Sequence, residues 1–174
     1  MKLSAILCSA SNAASIVLTG DYGQFLTCPY GYIMDGYCSS GNKKDCDYNS
    51  KSYSHLIRCT ENTRFTLDFA PQCYWVYGDF EQSAQCATDE IATGACSSGS
   101  NDDCNKYASA VQCCHFLTNH VNNGCSWQYP SGYGTFSYCP MDEYAAGVCT
   151  VGRWGSEVCG SSGKSGLKCC PIVS

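Results

Sequence analysis

The segment Cys86-Ala-Thr-Asp-Glu-Ile-Ala-Thr-Gly-Ala-Cys96 decides the fold, because its outline occurs three times in the chain. The three segments begin at Cys28, Cys86 and Cys139, and each has nine residues before the next Cys. Each also has a Gly two residues before that second Cys and another Gly three residues after it. The starts are 58 and 53 residues apart, and recurrence at intervals near this length is typical of a repeated supersecondary unit. The pattern predicts three related units, which cover approximately residues 20–72, 73–124 and 125–174.

Cysteine usage indicates an oxidising compartment. Seventeen of the 174 residues are Cys, a density typical of secreted proteins that are stabilised by disulfides. The chain begins with a Lys, a short apolar run and several small residues, which is the order of a secretory signal. Removal of this segment takes away Cys8 and leaves an even number of Cys, as complete pairing requires. We therefore expect residues 1–14 to be a signal peptide and residues 15–174 to form one secreted, extracellular domain.

Charge excludes two classes of partner. The formal net charge is −5 and only 14% of the residues are charged, whereas binding to nucleic acid requires clustered Lys and Arg. A polybasic contact with anionic lipids is excluded for the same reason. No stretch approaches the roughly 18 apolar residues of a membrane span. We therefore expect neither nucleic-acid binding nor a membrane span.

The distribution of Cys among the units constrains the disulfides. Units two and three contain six Cys each, but unit one lacks the first and the sixth, and Thr60 occupies the place of the sixth. Two Cys that are missing together are most simply bonded together, which predicts the pairs Cys73–Cys114 and Cys125–Cys170. A pairing between units, Cys114–Cys125 with Cys73–Cys170, stays open because spacing alone does not fix connectivity.

The other four Cys of each unit allow three pairings. We favour a bond between the second and fifth Cys, which links strands near the ends of a unit, so that the third and fourth close a short loop. The predicted pairs are Cys28–Cys59, Cys86–Cys113, Cys139–Cys169, Cys38–Cys46, Cys96–Cys104 and Cys149–Cys159.

Short strands are predicted throughout the units. Segments such as 32–38 and 56–59 are brief, rich in aromatic or β-branched residues, and bounded by turn-forming residues. The best helical candidate, residues 105–110, is shorter than the helices that a 3.6-residue period usually marks. A unit of about 50 residues cannot bury a large core alone. We therefore expect an all-β, disulfide-rich fold in which the three units share one core.

Several motifs resemble the vitelline membrane outer layer protein I family. They are Gly20-Asp-Tyr-Gly-Gln-Phe25, Cys28-Pro-Tyr-Gly31, Leu56-Ile-Arg-Cys59 and Gly132-Tyr-Gly-Thr-Phe136. The resemblance implies a β-prism of three Greek-key sheets around a pseudo-threefold axis, and an extracellular coat protein with affinity for glycans. This chain has more Cys, shorter units, and no Asp-Asp-Thr-Ala-Leu-Asn run before the last strand. The chain also has a weaker similarity to dermatopontin-like matrix proteins. It lies in the Cys-Pro starts and the Arg-x-Cys-type endings of the units.

Aromatic residues are the main candidates for ligand contacts. Sugars bind with their apolar faces on exposed rings while nearby polar groups fix the hydroxyls. Trp154 lies in a Gly-rich turn beside Arg153, and Tyr22 and Tyr133 each lie six residues before an aligned Cys. We predict that these four residues contact glycans. Trp75 and Trp127 closely follow the first Cys of their units, and we expect them to pack in the core instead.

Catalytic and metal-binding patterns are weak. Glycoside hydrolysis needs two carboxyl groups about 5–10 Å apart across a cleft, whereas the adjacent acids Asp89-Glu90 and Asp142-Glu143 would point to opposite faces of a strand. We expect both pairs to lie in solvated turns. His115 and His120 follow two Cys, but oxidised Cys cannot serve as zinc ligands. No catalytic residue, metal or cofactor is therefore predicted.

The expected function is that of a structural or interaction protein in an extracellular coat or matrix, with glycans or other coat proteins as partners. Self-assembly is left open. One alternative is a discrete lectin with sugar sites near equivalent loops. A second is a weak glycosidase or transglycosidase acting on amino-sugar polymers, with acids such as Glu90 and Glu143 brought together from different units.

Overall fold

The computed structural model describes residues 13–39, 44–63, 73–79, 82–98, 103–115, 124–132, 134–150 and 165–172. These residues form strands and turns without any helix, which confirms the all-β prediction. The helical candidate at 105–110 is wrong, because Asn105 and Lys106 have positive φ values of 54° and 74°. They form a tight turn between Cys104 and Tyr107, which bridge each other before the next strand begins. Most of the predicted signal peptide, residues 1–12, lies outside the described residues.

Fourteen strands are present in the described part of the chain. They are β1 (Ser15–Gly20), β2 (Leu26–Thr27), β3 (Tyr32–Ser39), β4 (Cys46–Tyr48), β5 (Lys51–Tyr53), β6 (His55–Glu61), β7 (Tyr74–Gly78), β8 (Ala84–Gln85), β9 (Glu90–Ser97), β10 (Ser109–His115), β11 (Ser126–Gln128), β12 (Ser137–Tyr138), β13 (Glu143–Cys149) and β14 (Gly166–Pro171).

Twelve of these strands form three antiparallel sheets of four strands each. Sheet 1 has the order β1-β6-β3-β12, sheet 2 has β7-β10-β9-β2, and sheet 3 has β11-β14-β13-β8. Strands β4 and β5 form a separate hairpin. In each sheet, three strands come from one stretch of the chain and the fourth, of only two residues, comes from another. Sheet 1 receives β12 from the segment of sheet 3, sheet 2 receives β2 from that of sheet 1, and sheet 3 receives β8 from that of sheet 2. This exchange links the three sheets in a cycle.

Each short strand joins its neighbour at a β-bulge. Strands β3, β9 and β13 each have a register shift two or three residues after the start, and a bulge leaves the extra residue's backbone groups outside the regular ladder. The carbonyl of that residue accepts a hydrogen bond from the Cys that follows the short strand. The three bonds are Cys28 N to Thr93 O, Cys86 N to Ala146 O and Cys139 N to Asp35 O.

The repeated Gly before the second Cys makes these crossings possible. A Cβ at Gly94 would overlap the carbonyl oxygen of Leu26, and one at Gly147 would lie 2.8 Å from that of Ala84. A Cβ at Gly36 would lie 2.9 Å from the ring of Tyr138. Real Cβ contacts essentially never fall below 3.0 Å. The glycine pattern found in the sequence therefore marks where backbone from one segment crosses the sheet of another.

One hydrophobic core is shared by the three sheets. It contains Met34 and Ile57 from sheet 1, Val111 from sheet 2, and Val148 and Leu167 from sheet 3, all fully buried. Sulfur atoms supply part of its volume, because the disulfides at the second and fifth Cys positions lie within or against this cluster. The core is thus built jointly by all three sheets, as the small size of each unit requires.

Seven disulfides join described residues. Each is among the eight pairs that the sequence predicts, and the pairing between units is wrong, because Cys73 bonds Cys114 and Cys125 bonds Cys170. Cys149 is also disulfide-bonded, and its predicted partner Cys159 lies outside the described residues. The remaining pairs are Cys28–Cys59, Cys38–Cys46, Cys86–Cys113, Cys96–Cys104 and Cys139–Cys169. In the same described residues, no helix has the length and apolar character needed to cross a membrane.

Candidate functional site

Only one of the four predicted glycan-contacting residues falls within the described residues. Arg153, Trp154 and Tyr133 lie outside them. Tyr22 is half-buried in the turn after β1, next to an ion pair in which Lys44 Nζ lies 2.7 Å from Asp21 Oδ1. Burial raises the pKa of the Tyr22 hydroxyl, and the nearby Lys44 ammonium partly opposes that rise.

The two tryptophans that were expected in the core pack against disulfides in small clusters separate from the shared core. Trp75 is half-buried against the buried Cys96 and Cys104, with its ring edge-on to Phe25 at a centroid distance of 4.7 Å. Trp127 packs against Cys149. Both rings thus pack against disulfide-bonded Cys residues.

A cavity of about 400 Å³ lies between the end of sheet 1 and the turn that leads into β13. Its walls combine apolar side chains with hydrogen-bonding groups, and four of its side chains are carboxylates while one is a guanidinium. The lining residues are Ala13, Ile33, Asp35, Arg58, Thr60, Glu61, Asn62, Thr63, Cys139, Pro140, Met141, Asp142, Glu143 and Ile172.

The cavity lies where sheet 1 lacks a disulfide. In sheets 2 and 3, the residue after the core Cys of the last strand is another Cys, which bonds across to the segment before the first strand. In sheet 1 the corresponding residue is Thr60, and its partner across the ladder is Ser15. Two small hydroxyl residues thus replace a disulfide, and the neighbouring side chains are charged.

Asp35 is the centre of a polar network on the cavity wall. It is the bulge residue of β3, and its carboxylate accepts two hydrogen bonds from the Arg58 guanidinium, at 2.9 Å and 2.7 Å. The Thr60 hydroxyl donates a third at 2.7 Å. The Arg58 guanidinium carbon also lies 4.1 Å from the centroid of the Tyr138 ring. These contacts fix the Asp35 carboxylate and the Arg58 side chain in place.

Glu143 contributes a different feature to the same cavity. It begins β13, and its backbone N donates to the carbonyl of Pro140. The Oε2 atom of its carboxylate is buried and has no hydrogen-bond partner among the described residues. A buried carboxylate oxygen is costly unless it accepts a hydrogen bond. Glu143 therefore lines the cavity with a carboxylate whose capacity to accept hydrogen bonds is not fully used.

A second cluster of titratable groups lies at the corresponding end of sheet 2. Glu90 begins β9 directly opposite His115, the last residue of β10. The Glu90 side chain is fully buried, and its Oε1 lies 3.3 Å from His115 Nε2. His115 Nδ1 lies 3.5 Å from Asp89 Oδ2. A hydrogen bond to Glu90, together with burial, raises the pKa of Tyr74 to about 12.

The expectation of solvated turns is correct for two of the four acids and wrong for the other two. Asp89 and Asp142 are exposed as predicted, whereas Glu90 is completely buried and Glu143 is half-buried. Glu90 and Glu143 each begin a strand, whereas Asp89 and Asp142 belong to the turns that precede those strands. Glu90 is absent from the cavity lining, so Glu90 and Glu143 do not share that site.

Asp35 and Arg58 are the site residues that sequence reasoning misses. The available signals were an Asp within an otherwise apolar strand segment and the Thr60 that replaces a Cys. The spacing of residues in the sequence could not predict that residues 139–143, from another unit, line the same cavity. No family model, curated protein or solved structure matches the chain.

Proposed function

We propose that the protein is a non-catalytic structural or interaction component of an extracellular coat or matrix, and that it associates with glycans through the cavity beside Asp35. The observation that carries this proposal is a polar, acidic cavity with an unpartnered acceptor at Glu143. The surrounding scaffold has seven disulfides among the described residues. Disulfides persist in oxidising, extracellular environments, which supports the compartment.

The cavity suits a saccharide in size and chemistry. About 400 Å³ lies within the roughly 300–1,000 Å³ of ordinary ligand clefts. Ile33, Met141 and Ile172 offer apolar contacts, while the carboxylates accept hydrogen bonds from ring hydroxyls. Four carboxylates against one guanidinium favour a ligand with donors and positive charge, so the preferred class is an amino sugar.

The proposed arrangement of the sheets is a β-prism around a pseudo-threefold axis, as in the vitelline membrane outer layer protein I family. The common strand order of the three sheets supports it, as do the cyclic exchange of short strands and the equivalent bulges. Membership of that family remains our proposal. Three similar sheets would also allow multivalent contact with a repetitive polymer, in which avidity exceeds the affinity of one site.

Binding of glucosamine trimer and N-acetylglucosamine trimer, measured by calorimetry on the oxidised protein, tests the cavity. We expect tighter binding of glucosamine trimer, and a loss of about 10- to 100-fold on Glu143→Gln, the effect of one hydrogen bond to a charged group. Asp47→Asn is the matched control, because it removes one carboxylate outside the cavity. Absence of binding by both sugars, or equal binding by the Glu143→Gln variant, would contradict the proposal.

A glycosidase is the second candidate, favoured by carboxylates from two segments that line one cleft. Asp35 and Glu61 come from sheet 1, whereas Asp142 and Glu143 come from sheet 3. Release of reducing ends from chito-oligosaccharides, abolished by Glu143→Gln, would favour the enzyme over the coat protein. A lectin site at Arg153 and Trp154 stays a prediction, and Trp154→Ala tests it in the same binding assay.

A further inference from the structure

We propose that Asp89, Glu90 and His115 form a binding site for one divalent transition-metal ion of the Zn²⁺ class. This site lies at the end of sheet 2, and its residues are separate from those that line the cavity. Spacing in the sequence does not reveal it, because the whole connection between β9 and β10 separates Glu90 from His115. The ladder then places the two residues directly opposite each other.

Two of the three donor atoms have the separation that a small cation requires, and the third lies nearby. One ligand atom from each of the three residues lies within 4.8 Å of the others. Two ligands on one tetrahedral Zn²⁺ with bonds of about 2.0 Å are about 3.3 Å apart. His115 Nε2 and Glu90 Oε1 are separated by 3.3 Å, so these two atoms can bind one ion without rearrangement of the strands.

Neighbouring groups orient the buried carboxylate. The backbone N of Ala87 donates to Glu90 Oε2 at 2.8 Å, which leaves Oε1 directed at the imidazole. The Tyr74 side chain also hydrogen-bonds Glu90. Such outer contacts are characteristic of metal ligands, whose orientation they fix. They distinguish this cluster from mobile surface acids.

The cluster is reachable from solvent and selective in its chemistry. The His115 side chain is 36% exposed and that of Asp89 is 59% exposed, whereas Glu90 forms the floor of the site. An imidazole nitrogen is a ligand for Zn²⁺ and related metals, while Ca²⁺ takes oxygen ligands. The disulfide-bonded Cys86 and Cys113 near Glu90 supply no thiolate. Three protein ligands leave a fourth position for water.

The same ladder position in the other two sheets provides the control. Glu61 faces Tyr32 in sheet 1, and Pro171 faces Glu143 in sheet 3, so neither pair contains a His. An Asp142→Asn/Glu143→Gln variant therefore removes the same adjacent acids from sheet 3 and leaves the proposed metal ligands intact.

Calorimetric titration and thermal unfolding of the oxidised full chain with ZnCl₂ or CaCl₂ test the proposal. We expect one Zn²⁺ per chain, a rise in Tm with Zn²⁺ but not with Ca²⁺, and unchanged Zn²⁺ binding by Asp142→Asn/Glu143→Gln. His115→Gln is expected to weaken Zn²⁺ binding more than tenfold, and Tyr74→Phe by about tenfold, as for other second-layer contacts.

A variant at an exposed ligand guards against loss of folding. Asp89→Asn changes a surface side chain, and we expect it to weaken Zn²⁺ binding while the metal-free Tm stays the same. Failure of Zn²⁺ to bind or to raise the Tm would overturn the proposal and identify the cluster as an ion pair only. Zn²⁺ binding that persists in both His115→Gln and Asp89→Asn would overturn it equally.

Discussion

Sheets 1 and 2 have the same strand order, yet different chemistry holds one of their ends together. Sheet 2 closes that end with the Cys73–Cys114 disulfide, and the Thr93 hydroxyl lies 3.2 Å from the Cys114 sulfur. Sheet 1 closes it with hydrogen bonds from Arg58 and Thr60 to the carboxylate of Asp35. The cavity described above lies beside the polar version.

At the opposite ends of the two sheets, sheet 1 again has an ionisable residue where sheet 2 has a neutral one. His55 in β6 and Ser109 in β10 occupy corresponding ladder positions, opposite Gly20 and Gly78 respectively. Both residues are buried, but only the imidazole titrates near neutral pH. At these equivalent positions sheet 1 has ionisable groups, whereas sheet 2 has a disulfide and a neutral hydroxyl.

The largest effect is expected from removal of the disulfide in sheet 2. Cys73 and Cys114 are 41 residues apart, but the intact Cys86–Cys113 disulfide shortens the loop that they close. The shortened loop has about 15 residues, and a loop of that length contributes about 3 kcal/mol in the chain-entropy treatment. A Cys73→Ala/Cys114→Ala variant is expected to lose about that free energy of unfolding. Urea unfolding of the otherwise oxidised protein measures it.

The reciprocal change in sheet 1 sharpens this result. Ser15 and Thr60 face each other across the ladder, so Ser15→Cys/Thr60→Cys is expected to form a new disulfide. The gain of about 2–4 kcal/mol is reduced by the lost hydrogen bond from Thr60 to Asp35, worth about 1–2 kcal/mol. If neither variant changes the free energy of unfolding, the difference between a disulfide and a polar network at this end of the sheets does not affect stability.

Acid is expected to destabilise the protein through His55. Burial lowers the pKa of its imidazole to about 4, and the hydrogen bond to the Gln24 carbonyl at 3.0 Å only partly opposes this shift. The unfolded chain binds a proton near the ordinary pKa of 6.5, so the stabilisation is complete above that pH and is lost as the pH falls towards 4. The loss is about 3 kcal/mol.

Unfolding free energies at several pH values between 7 and 4 measure this slope. His55→Ser copies the residue of sheet 2 and is expected to flatten the slope, whatever its cost at pH 7. Asp47→Asn, on the exposed side of β4, is the control and is expected to keep the wild-type slope. An unchanged slope in His55→Ser would assign the acid sensitivity to other groups.

Much of the scaffold could be predicted because Cys and Gly leave strong marks in a sequence. The absence of two Cys from one unit predicts two of the disulfides, and the repeated Gly marks the crossing points. The exchange of β2, β8 and β12 between sheets could not be predicted, because a two-residue strand carries no information about its partner. The end of a segment and the start of its neighbour's sheet are brought together only by packing of the shared core.

The candidate sites were harder to predict for the same reason. The cavity needs Asp35 from one segment and Glu143 from another, and the second cluster needs Glu90 beside His115. Local patterning treats paired acids as solvent-exposed, whereas a strand start at the edge of a shared core buries one acid of the pair. Nothing in the sequence distinguishes Ser15, because only the strand pairing shows that it lies opposite Thr60.

The smallest effect concerns the polar network itself. Asp35→Asn removes the charge that faces Arg58, whose side chain is 30% exposed. Because the pair is partly buried and shared with Thr60, the expected loss is about 1–3 kcal/mol of unfolding free energy, measured by urea unfolding at low salt. Raising the salt concentration should shrink the difference between wild type and variant, since partial exposure allows screening.

A double substitution separates two contributions to the stability lost in Asp35→Asn. One is the cost of leaving the Arg58 charge unpaired, and the other is the loss of the hydrogen bonds of the network. In sheet 2 the corresponding residues are Thr93 and Gln112, joined by a hydrogen bond of 3.0 Å. Asp35→Thr/Arg58→Gln transfers that neutral pair into sheet 1, and we expect it to be more stable than Asp35→Asn alone, because no guanidinium is left without its carboxylate. If the double variant is as unstable as the single one, the network itself, rather than the stranded charge, holds this end of sheet 1.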